Sequence, residues 1–163
     1  MIEPCNAGGI MVAQLFSLSS LFVMPFWFLM VVLPFWKWTQ RIIQSPWIIL
    51  GPALIYAIVL LPIFATVWAD VSNPTLPGVI ELIGNESGAT LSWVHFLAFD
   101  LFVARWIYLD SRERNIFALI ISPILVSVLM VGPVGFLIYM VVRTIHGLVR
   151  SPNLTTIAQP VTK

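Results

Sequence analysis

Four long apolar segments dominate the chain and restrict the folds that it can adopt. They cover residues 13–36, 46–68, 89–109 and 116–143. Each has the ~20 mainly apolar residues that a transmembrane α-helix needs to cross a bilayer. We therefore predict an all-α fold, a bundle of four transmembrane helices, forming a single membrane domain over residues 1–150. The polar tail, residues 151–163, is predicted to be disordered.

The composition favours a membrane protein and argues against several soluble classes. Of the 163 residues, 60% are hydrophobic and 9% are charged, and the mean hydropathy is +0.99, whereas soluble domains have about 25% charged residues. The lipid bilayer is therefore an expected partner. A net charge of +1 without a basic run gives no basis for nucleic-acid binding. Because the single cysteine is Cys5 and the two histidines lie in separate segments, we expect neither a metal nor a cofactor.

The charges of the loops predict an orientation. The first and third loops are basic and the second is acidic, with Lys37, Arg41, Arg112 and Arg114 set against Asp70, Glu81 and Glu86. By the positive-inside rule, the first and third loops face the cytoplasm or stroma, and both chain termini face the other side. Arg143, Arg150 and Lys163, which follow the fourth segment, conflict with this arrangement.

Prolines distinguish the third apolar segment from the other three. The third segment has neither proline nor glycine, whereas the others contain Pro25, Pro34, Pro52, Pro62, Pro123 and Pro133. In the fourth segment the run GPVG, residues 132–135, predicts a kink or a partial break. Bent helices around a straight third helix favour a cavity beside it, because kinks free backbone carbonyls that need partners.

The third segment carries three ionisable side chains. Residues 91–110 read LSWVHFLAFDLFVARWIYLD and include His95, Asp100 and Arg105. An aspartate at the centre of a membrane helix costs about 3 kcal/mol, so such residues are usually functional and are covered by neighbouring helices. At 100° per residue, successive members of this trio point about 140° apart. Each therefore needs a partner on another helix, from the set Gln14, Ser17, Ser20, Tyr56, Thr66, Ser122, Ser127 and Tyr139.

Each of these residues has a structural interpretation beside the functional one. Asp100, if neutral, would donate a proton or a hydrogen bond to a ligand, or would simply bond a hydroxyl group of another helix. Arg105 would reach a ligand, the lipid headgroups or Glu113, and His95 suits an interfacial position without a special role. The aromatic side chains of the segment either pack helices and anchor the span ends or contact a long apolar ligand. They are Trp93, Phe99, Phe102 and Trp106.

Two motifs carry a resemblance to a known family. The first is W-x-H-x-x-A-F-D-L-F-x-x-R-W, residues 93–106, followed by an acidic residue at Asp110. The second is G-P-V-G-F-L-I-Y, residues 132–139. The chain resembles the abscisic-acid-deficient-four-like family of small membrane proteins, which occur in plastids and cyanobacteria. The resemblance implies four spans and a location in a thylakoid, plastid or cyanobacterial plasma membrane.

The resemblance also implies a role in carotenoid (xanthophyll) metabolism, since the plant members are needed to form neoxanthin from violaxanthin. That conversion opens an epoxide without net redox change, so it needs an acid at the epoxide oxygen and a base for a carbon-bound proton. By their match to the motif, Asp100 and His95 become candidates for the catalytic acid and base, and Arg105 for stabilising negative charge. The residues expected to contact the polyene are Trp93, Phe99, Phe102 and Trp106.

The length of a carotenoid predicts the shape of its site. A polyene is about as long as a hydrocarbon core is thick, roughly 30 Å. We therefore expect an elongated groove between the third helix and the kinked fourth, near Pro133, with His95 at one end ring and Arg105 at the other.

Two other functions fit the same residues. One is a non-catalytic carotenoid-binding or assembly factor that contacts other photosynthetic membrane proteins. The other is a small proton-coupled transporter, which an intramembrane carboxyl group also suits. A binder tolerates a neutral replacement of Asp100, whereas an isomerase that uses it as an acid does not.

Overall fold

The computed structural model of the protein describes residues 7–150, and this part of the chain is all-helical, as predicted. A short 3₁₀ helix, Pro46–Ile49, precedes α3. The predicted tail, residues 151–163, lies outside the described residues. The helices are α1 (Ala7–Val32), α2 (Lys37–Gln44), α3 (Leu50–Ser72), α4 (Leu76–Ile83), α5 (Glu86–Glu113), α6 (Ala118–Val131) and α7 (Pro133–Arg150).

Three stretches of helix are long and apolar enough to cross a membrane. They are Gly9–Val32, Pro46–Ser72 and Glu86–Glu113. They coincide with the first three apolar segments of the sequence. The loop between the second and third stretches contains the short helix α4.

The fourth apolar segment does not form one long helix. It divides into α6 and α7, and the break falls at Gly132, inside the run where the sequence predicts one. Pro133 is the first residue of α7. Its fixed φ is compatible with a helix, and the N–H that it lacks would have no partner within the helix at this position. The 14 residues of α6 extend about 21 Å at 1.5 Å per residue, short of a hydrocarbon core of about 30 Å. A fourth span is therefore not confirmed.

The two halves of the fourth segment form a helical hairpin that returns to its starting end. At the turn, a Cβ placed on Gly132 would lie 2.8 Å from Oδ1 of Asp100, half-way along α5. At the far end of α7, a guanidinium nitrogen of Arg150 donates to the carbonyl oxygen of Arg114, just after α5 ends. The hairpin (α6 and α7) therefore begins and ends beside the C-terminal end of α5.

This return also determines where the described helices begin and end relative to α5. At the other end of α5, a Cβ placed on Gly9 would lie 3.2 Å from a carboxylate oxygen of Glu86. The start of α1 and the end of α7 therefore lie at opposite ends of α5. The expectation that both termini face the same side rests on a fourth crossing, which is not confirmed.

Because of the hairpin, the basic residues of the described chain all lie at one end of the molecule. Helices α1 and α5 both terminate there. The Tyr108 hydroxyl, in the last turns of α5, donates to the carbonyl oxygen of Pro34, just after α1. The conflict that Arg143 and Arg150 present in the sequence disappears, since α7 brings both back to this end. The residues of the basic end are Lys37, Arg41, Arg105, Arg112, Arg114, Arg143 and Arg150.

Helix α5 is the centre of the bundle and contacts every other helix of the described chain. Its buried seam alternates steps of three and four residues, the spacing of one face of a packed helix. Asn85 caps its start, since Oδ1 accepts from the amide of Gly88. Asn115, at φ 54°, ends it in the left-handed conformation that asparagine tolerates. The seam comprises Val94, Leu97, Leu101, Ala104 and Tyr108.

We expect Gly135→Ala to destabilise the hairpin. A Cβ at Gly135 would overlap the backbone nitrogen of Val128, so α6 and α7 would have to move apart, at about 1–3 kcal/mol of unfolding free energy. Gly147→Ala is the matched control, because nothing lies within 4 Å of a Cβ there and alanine favours helix by up to about 1 kcal/mol. Unfolding midpoints in detergent measure both effects, and equal midpoints for Gly135→Ala and the unaltered chain would contradict close packing at the hairpin.

Candidate functional site

A cavity of about 330 Å³ lies beside the turn of the hairpin, near Pro133. Three parts of the fold form its walls, namely α1, α5 and the turn between α6 and α7. Most of the lining is apolar, and the polar side chains in it are few. The lining residues are Ser20, Met24, Trp93, Phe96, Leu97, Asp100, Leu129, Met130, Gly132 and Pro133.

Asp100 supplies the carboxyl group of this cavity. Its side chain is partly buried, and its Oδ1 lies against Gly132, directly before the N-terminus of α7. Within residues 9–150, no side chain makes a hydrogen bond or an ion pair with the carboxyl group. An ionisable group in the apolar stretch of a membrane helix is energetically costly, and such groups usually either pair with one another or mark a functional site. The structure therefore places a carboxyl group where a ligand in the cavity would meet it.

Trp93 forms a fixed wall of the same cavity. Its indole Nε1 donates to Oγ of Ser20 on α1 at 2.9 Å, and its ring stacks on Phe16 with the centroids 5.6 Å apart. Ser20 in turn donates to the carbonyl oxygen of Phe16. Of the four aromatic residues expected to contact a ligand, Trp93 lines the cavity beside Asp100.

His95 faces another side of α5. Its ring is exposed, stacks on Phe99 at 4.6 Å between centroids, and lies 5.7 Å from the ring of Tyr56 on α3. It is absent from the lining of the cavity that contains Asp100. The two residues diverge because five helical positions rotate a side chain by about 140°.

Arg105 binds the end of a helix. Its Nε donates to the carbonyl oxygen of Ile43 at 2.8 Å, and its second guanidinium nitrogen to that of Gln44 at 2.6 Å. These carbonyls are at the C-terminal end of α2, where a cation satisfies free acceptors and meets the negative end of the helix dipole. Its hydrogen-bond partners within the described chain are therefore backbone carbonyls of α2, and Glu113 is not among them.

The remaining predicted aromatic residues point in different directions. Phe99 and Phe102 are exposed. Trp106 packs against α7, with its ring 5.8 Å from Phe136 and 5.7 Å from Tyr139. The cavity near Pro133 contains neither His95 nor Arg105, so it does not join the two ends of the predicted groove.

A polar cluster that was not predicted from the sequence joins α5 to α7. Oδ2 of Asp110 accepts from the Tyr139 hydroxyl at 2.5 Å and from Nε of both Arg143 and Arg114 at 2.9 Å. Arg143 also lies over the Trp106 ring. A signal was present in the sequence, since Asp110 and Arg114 are four residues apart, as are Tyr139 and Arg143, and such pairs share a helix face. The Asp110 cluster (Asp110, Arg114, Tyr139 and Arg143) holds the returning helix in place.

Four other hollows in the described part of the chain contain none of the predicted site residues. A larger one, of about 690 Å³, lies between the start of α1 and the start of α5, with Gly9, Phe16, Glu86 and Thr90 in its lining. Among the residues described, no group of three histidine, cysteine, aspartate or glutamate side chains is placed to hold a metal ion.

Comparison with known proteins identifies the family. The family model described as ABA DEFICIENT 4-like matches residues 14–139. The chain belongs to this family. The match includes α5, the turn of the hairpin and Tyr139, so the cavity and most of the Asp110 cluster lie within it.

A curated relative of the ABA DEFICIENT 4-like family extends this result. The chain is 32% identical over 110 residues to the protein ABA DEFICIENT 4, chloroplastic, of Arabidopsis thaliana. The aligned part covers 64% of this chain and 50% of the relative, so the chain spans about half the length of the protein that it matches. No solved structure matches the chain.

Tyr139→Phe should loosen the attachment of α7 to α5. It removes a buried hydroxyl that donates to Asp110, and the loss of one such hydrogen bond costs about 0.5–1.5 kcal/mol. Tyr56→Phe is the control, because no hydrogen bond of its hydroxyl occurs in the described part of the chain. Unfolding midpoints of both variants in detergent make the comparison, and a smaller loss for Tyr139→Phe than for Tyr56→Phe would contradict a clamp at Asp110.

Proposed function

We propose that the chain is an integral membrane protein with three spans and a re-entrant hairpin. The three long apolar helical stretches would cross the bilayer, and α6 and α7 would enter and leave it on one side. The charge distribution supports an orientation with the basic end toward the cytoplasm or stroma. In this arrangement the turn at Gly132 lies within the hydrocarbon, where irregular backbone is tolerated if protein covers it.

Cysteine labelling separates this topology from a four-span bundle. In intact membranes or vesicles of known orientation, an impermeant maleimide would be applied to the native Cys5 and, in a Cys5→Ser background, to Thr155→Cys or to Gln40→Cys. We expect Thr155→Cys to react from the same side as Gln40→Cys, the control for the basic end, and Cys5 from the opposite side. Labelling of Cys5 and Thr155→Cys from one side would favour four spans instead.

We also propose that the protein works in xanthophyll metabolism, in the conversion that produces neoxanthin. Its membership of the ABA DEFICIENT 4-like family and its similarity to a chloroplastic relative support this role. A carotenoid is soluble in the hydrocarbon core of a bilayer. A carotenoid substrate would therefore be dissolved in the same membrane that α1, α3 and α5 would cross. The proposed location is a thylakoid, plastid or cyanobacterial plasma membrane.

The reaction would be an epoxide-opening isomerisation with Asp100 as the acid. The neutral carboxyl group would give its proton to the epoxide oxygen as the carbon–oxygen bond breaks, and a carbon-bound proton would leave to a base, so that no redox partner is needed. The observation that carries this proposal is the Asp100 carboxyl group in an apolar cavity, without a side-chain partner in the described residues.

His95 and Arg105 keep narrower roles in this proposal. The ring of His95, on another face of α5, would act as the base only if the substrate reached around that helix. Arg105 would act by positioning α2, since its guanidinium is held by two backbone carbonyls. Asp100 and Trp93 form the part of the predicted site that the proposal retains.

Asp100→Asn tests the proposal directly. The amide keeps the shape and the hydrogen bonding but cannot give the proton, and the loss of a general acid lowers rates by about 10²–10⁴-fold. When Asp100→Asn is expressed in a deletion strain, we expect its abundance in the membrane to be normal. We expect the ratio of neoxanthin to violaxanthin to be at least about a hundredfold lower than with the unaltered chain. Glu81→Gln, the same change at an exposed carboxylate, should restore the pigments fully. Full restoration by Asp100→Asn would instead favour a carotenoid-binding or assembly role.

A further inference from the structure

Another hollow lies at the basic end, between the loop after α1 and the loop before α6. Its volume is about 320 Å³. The cavity at Asp100 has a mainly apolar lining, whereas this hollow offers mostly polar surface and has no carboxylate in its lining. We call it the Arg112 hollow, after its charged residue. Its walls include Phe35, Gln40, Arg112, Asn115, Phe117 and Ala118.

Two aromatic rings hold the guanidinium group of Arg112. Its central carbon lies 5.5 Å from the centroid of the Phe35 ring and 5.3 Å from the centroid of the Tyr108 ring. Tyr108 is itself fixed, since it is buried and its hydroxyl donates to the carbonyl oxygen of Pro34. Cation–π contacts of this kind keep a cation in place but leave its charge without a counter-ion.

Arg112 differs from the other partly buried arginines of the described chain in having no such counter-ion. Arg114 and Arg143 bind the carboxylate of Asp110, and Arg105 donates to two backbone carbonyls. Within residues 9–150, the guanidinium of Arg112 makes neither an ion pair with a carboxylate nor a hydrogen bond to a backbone carbonyl. Because charges that are withdrawn from water are usually paired, an anion from outside the chain would bind at this position.

Other groups in the walls can also donate hydrogen bonds to an anion. The side-chain amides of Gln40 and Asn115 each carry two N–H groups, and neither amide has a hydrogen bond within residues 9–150. Ala118 is the first residue of α6, so the partial positive charge of a helix start adds to the charge of Arg112. A tetrahedral anion suits this set, because the planar guanidinium group binds two of its oxygen atoms at once.

The surroundings of the Arg112 hollow indicate a lipid rather than a soluble anion. The rings of Phe35 and Phe117 are 60% and 58% exposed, and their centroids are 6.2 Å apart. Trp36 and Trp38, close to Phe35 in the chain, are exposed as well, and tryptophan side chains are enriched at membrane interfaces. In the proposed topology the hollow would therefore lie at the level of the lipid headgroups.

We infer that the Arg112 hollow binds the headgroup of an anionic lipid, with a phosphate or sulfonate group on the guanidinium of Arg112. A volume of about 320 Å³ is at the lower limit of the ~300–1,000 Å³ typical of ligand pockets. The headgroup therefore enters, and the acyl chains remain outside, against Phe35 and Phe117. Basic pockets at the cytoplasmic ends of membrane helices are typical sites for such headgroups. This inference rests on the proposed insertion into a membrane, but not on the proposed reaction.

Native mass spectrometry of the purified protein in detergent tests the inference. The probes are phosphatidylglycerol and phosphatidylcholine with the same acyl chains, and glycerol 3-phosphate as a soluble anion. We expect phosphatidylglycerol to bind at least about tenfold more tightly than either, because the basic end repels the choline group and the soluble anion lacks acyl chains. Equal affinities for the two lipids would overturn the inference. Equally tight binding of glycerol 3-phosphate would reassign the hollow to a soluble phosphate and would also overturn it.

Arg112→Gln should weaken the binding of phosphatidylglycerol about tenfold, the effect of losing a hydrogen bond to a charged group. Arg41→Gln is the matched control, because it removes the same charge at an exposed position of the same end, outside the walls of the hollow. The control should change the affinity less than about twofold, since exposed charges contribute little. Equal losses in the two variants would show attraction to net charge alone and would overturn the site.

Gln40→Glu keeps the test decisive if Arg112→Gln does not fold. Gln40 is exposed on α2, so the change places a negative charge in the wall of the hollow without altering the core. Repulsion between like charges should lower the affinity for phosphatidylglycerol, and Gln40→Met, which has a similar length and no charge, should have the smaller effect. An unaltered affinity in Gln40→Glu would contradict a headgroup in this hollow.

The outcomes for this inference and for the proposed catalysis are separable. Asp100→Asn should bind phosphatidylglycerol as tightly as the unaltered chain, because Asp100 lies in the other cavity, half-way along α5. Full pigment restoration by Asp100→Asn would reject the acid role and leave the lipid site in place. Absence of selective lipid binding in the unaltered chain would reject the lipid site, whatever Asp100→Asn does to the conversion.

Discussion

The turn at Gly132 and Pro133 determines the position of everything that follows it. Helix α6 is too short to cross a bilayer, and the turn directs α7 back along α5. Because of this return, Arg143 and Arg150 lie with the other basic residues. The start of α1 and the end of α7 lie at different ends of α5. The cavity depends on the same turn, since Gly132 and Pro133 form one of its walls.

A hairpin of this kind needs an attachment, and the Asp110 cluster supplies it. Asp110 accepts hydrogen bonds from two residues of α7 and from Arg114 of its own helix region. Charge-assisted hydrogen bonds are stronger than neutral ones. Tight packing at Gly135 holds α7 against α6 as well. The cluster and the glycine thus fix the turn beside Asp100 from two directions.

The polar residues of α5 serve different parts of the fold because they point in different directions. Arg105 stabilises the end of α2, Asp110 anchors α7, and Asp100 faces the cavity. Membrane helices with several ionisable residues often use them for pairing. Here Asp100 is the member left without such a structural partner in the described chain, and this difference separates it from its neighbours as a candidate for chemistry.

The sequence by itself determined the helical class, three of the long apolar helices, the break at Gly132 and the family. These features follow from local properties: the length of an apolar run, proline and glycine at a turn, and a motif. Only the tertiary structure decided that the chain turns back after the break, and which partner each polar side chain of α5 meets. Those outcomes depend on contacts between residues far apart in the chain, such as Asp110 with Tyr139 and Arg143, 29 and 33 residues away. Helical periodicity predicts the direction of a side chain, but the neighbour that it meets depends on how the helices pack.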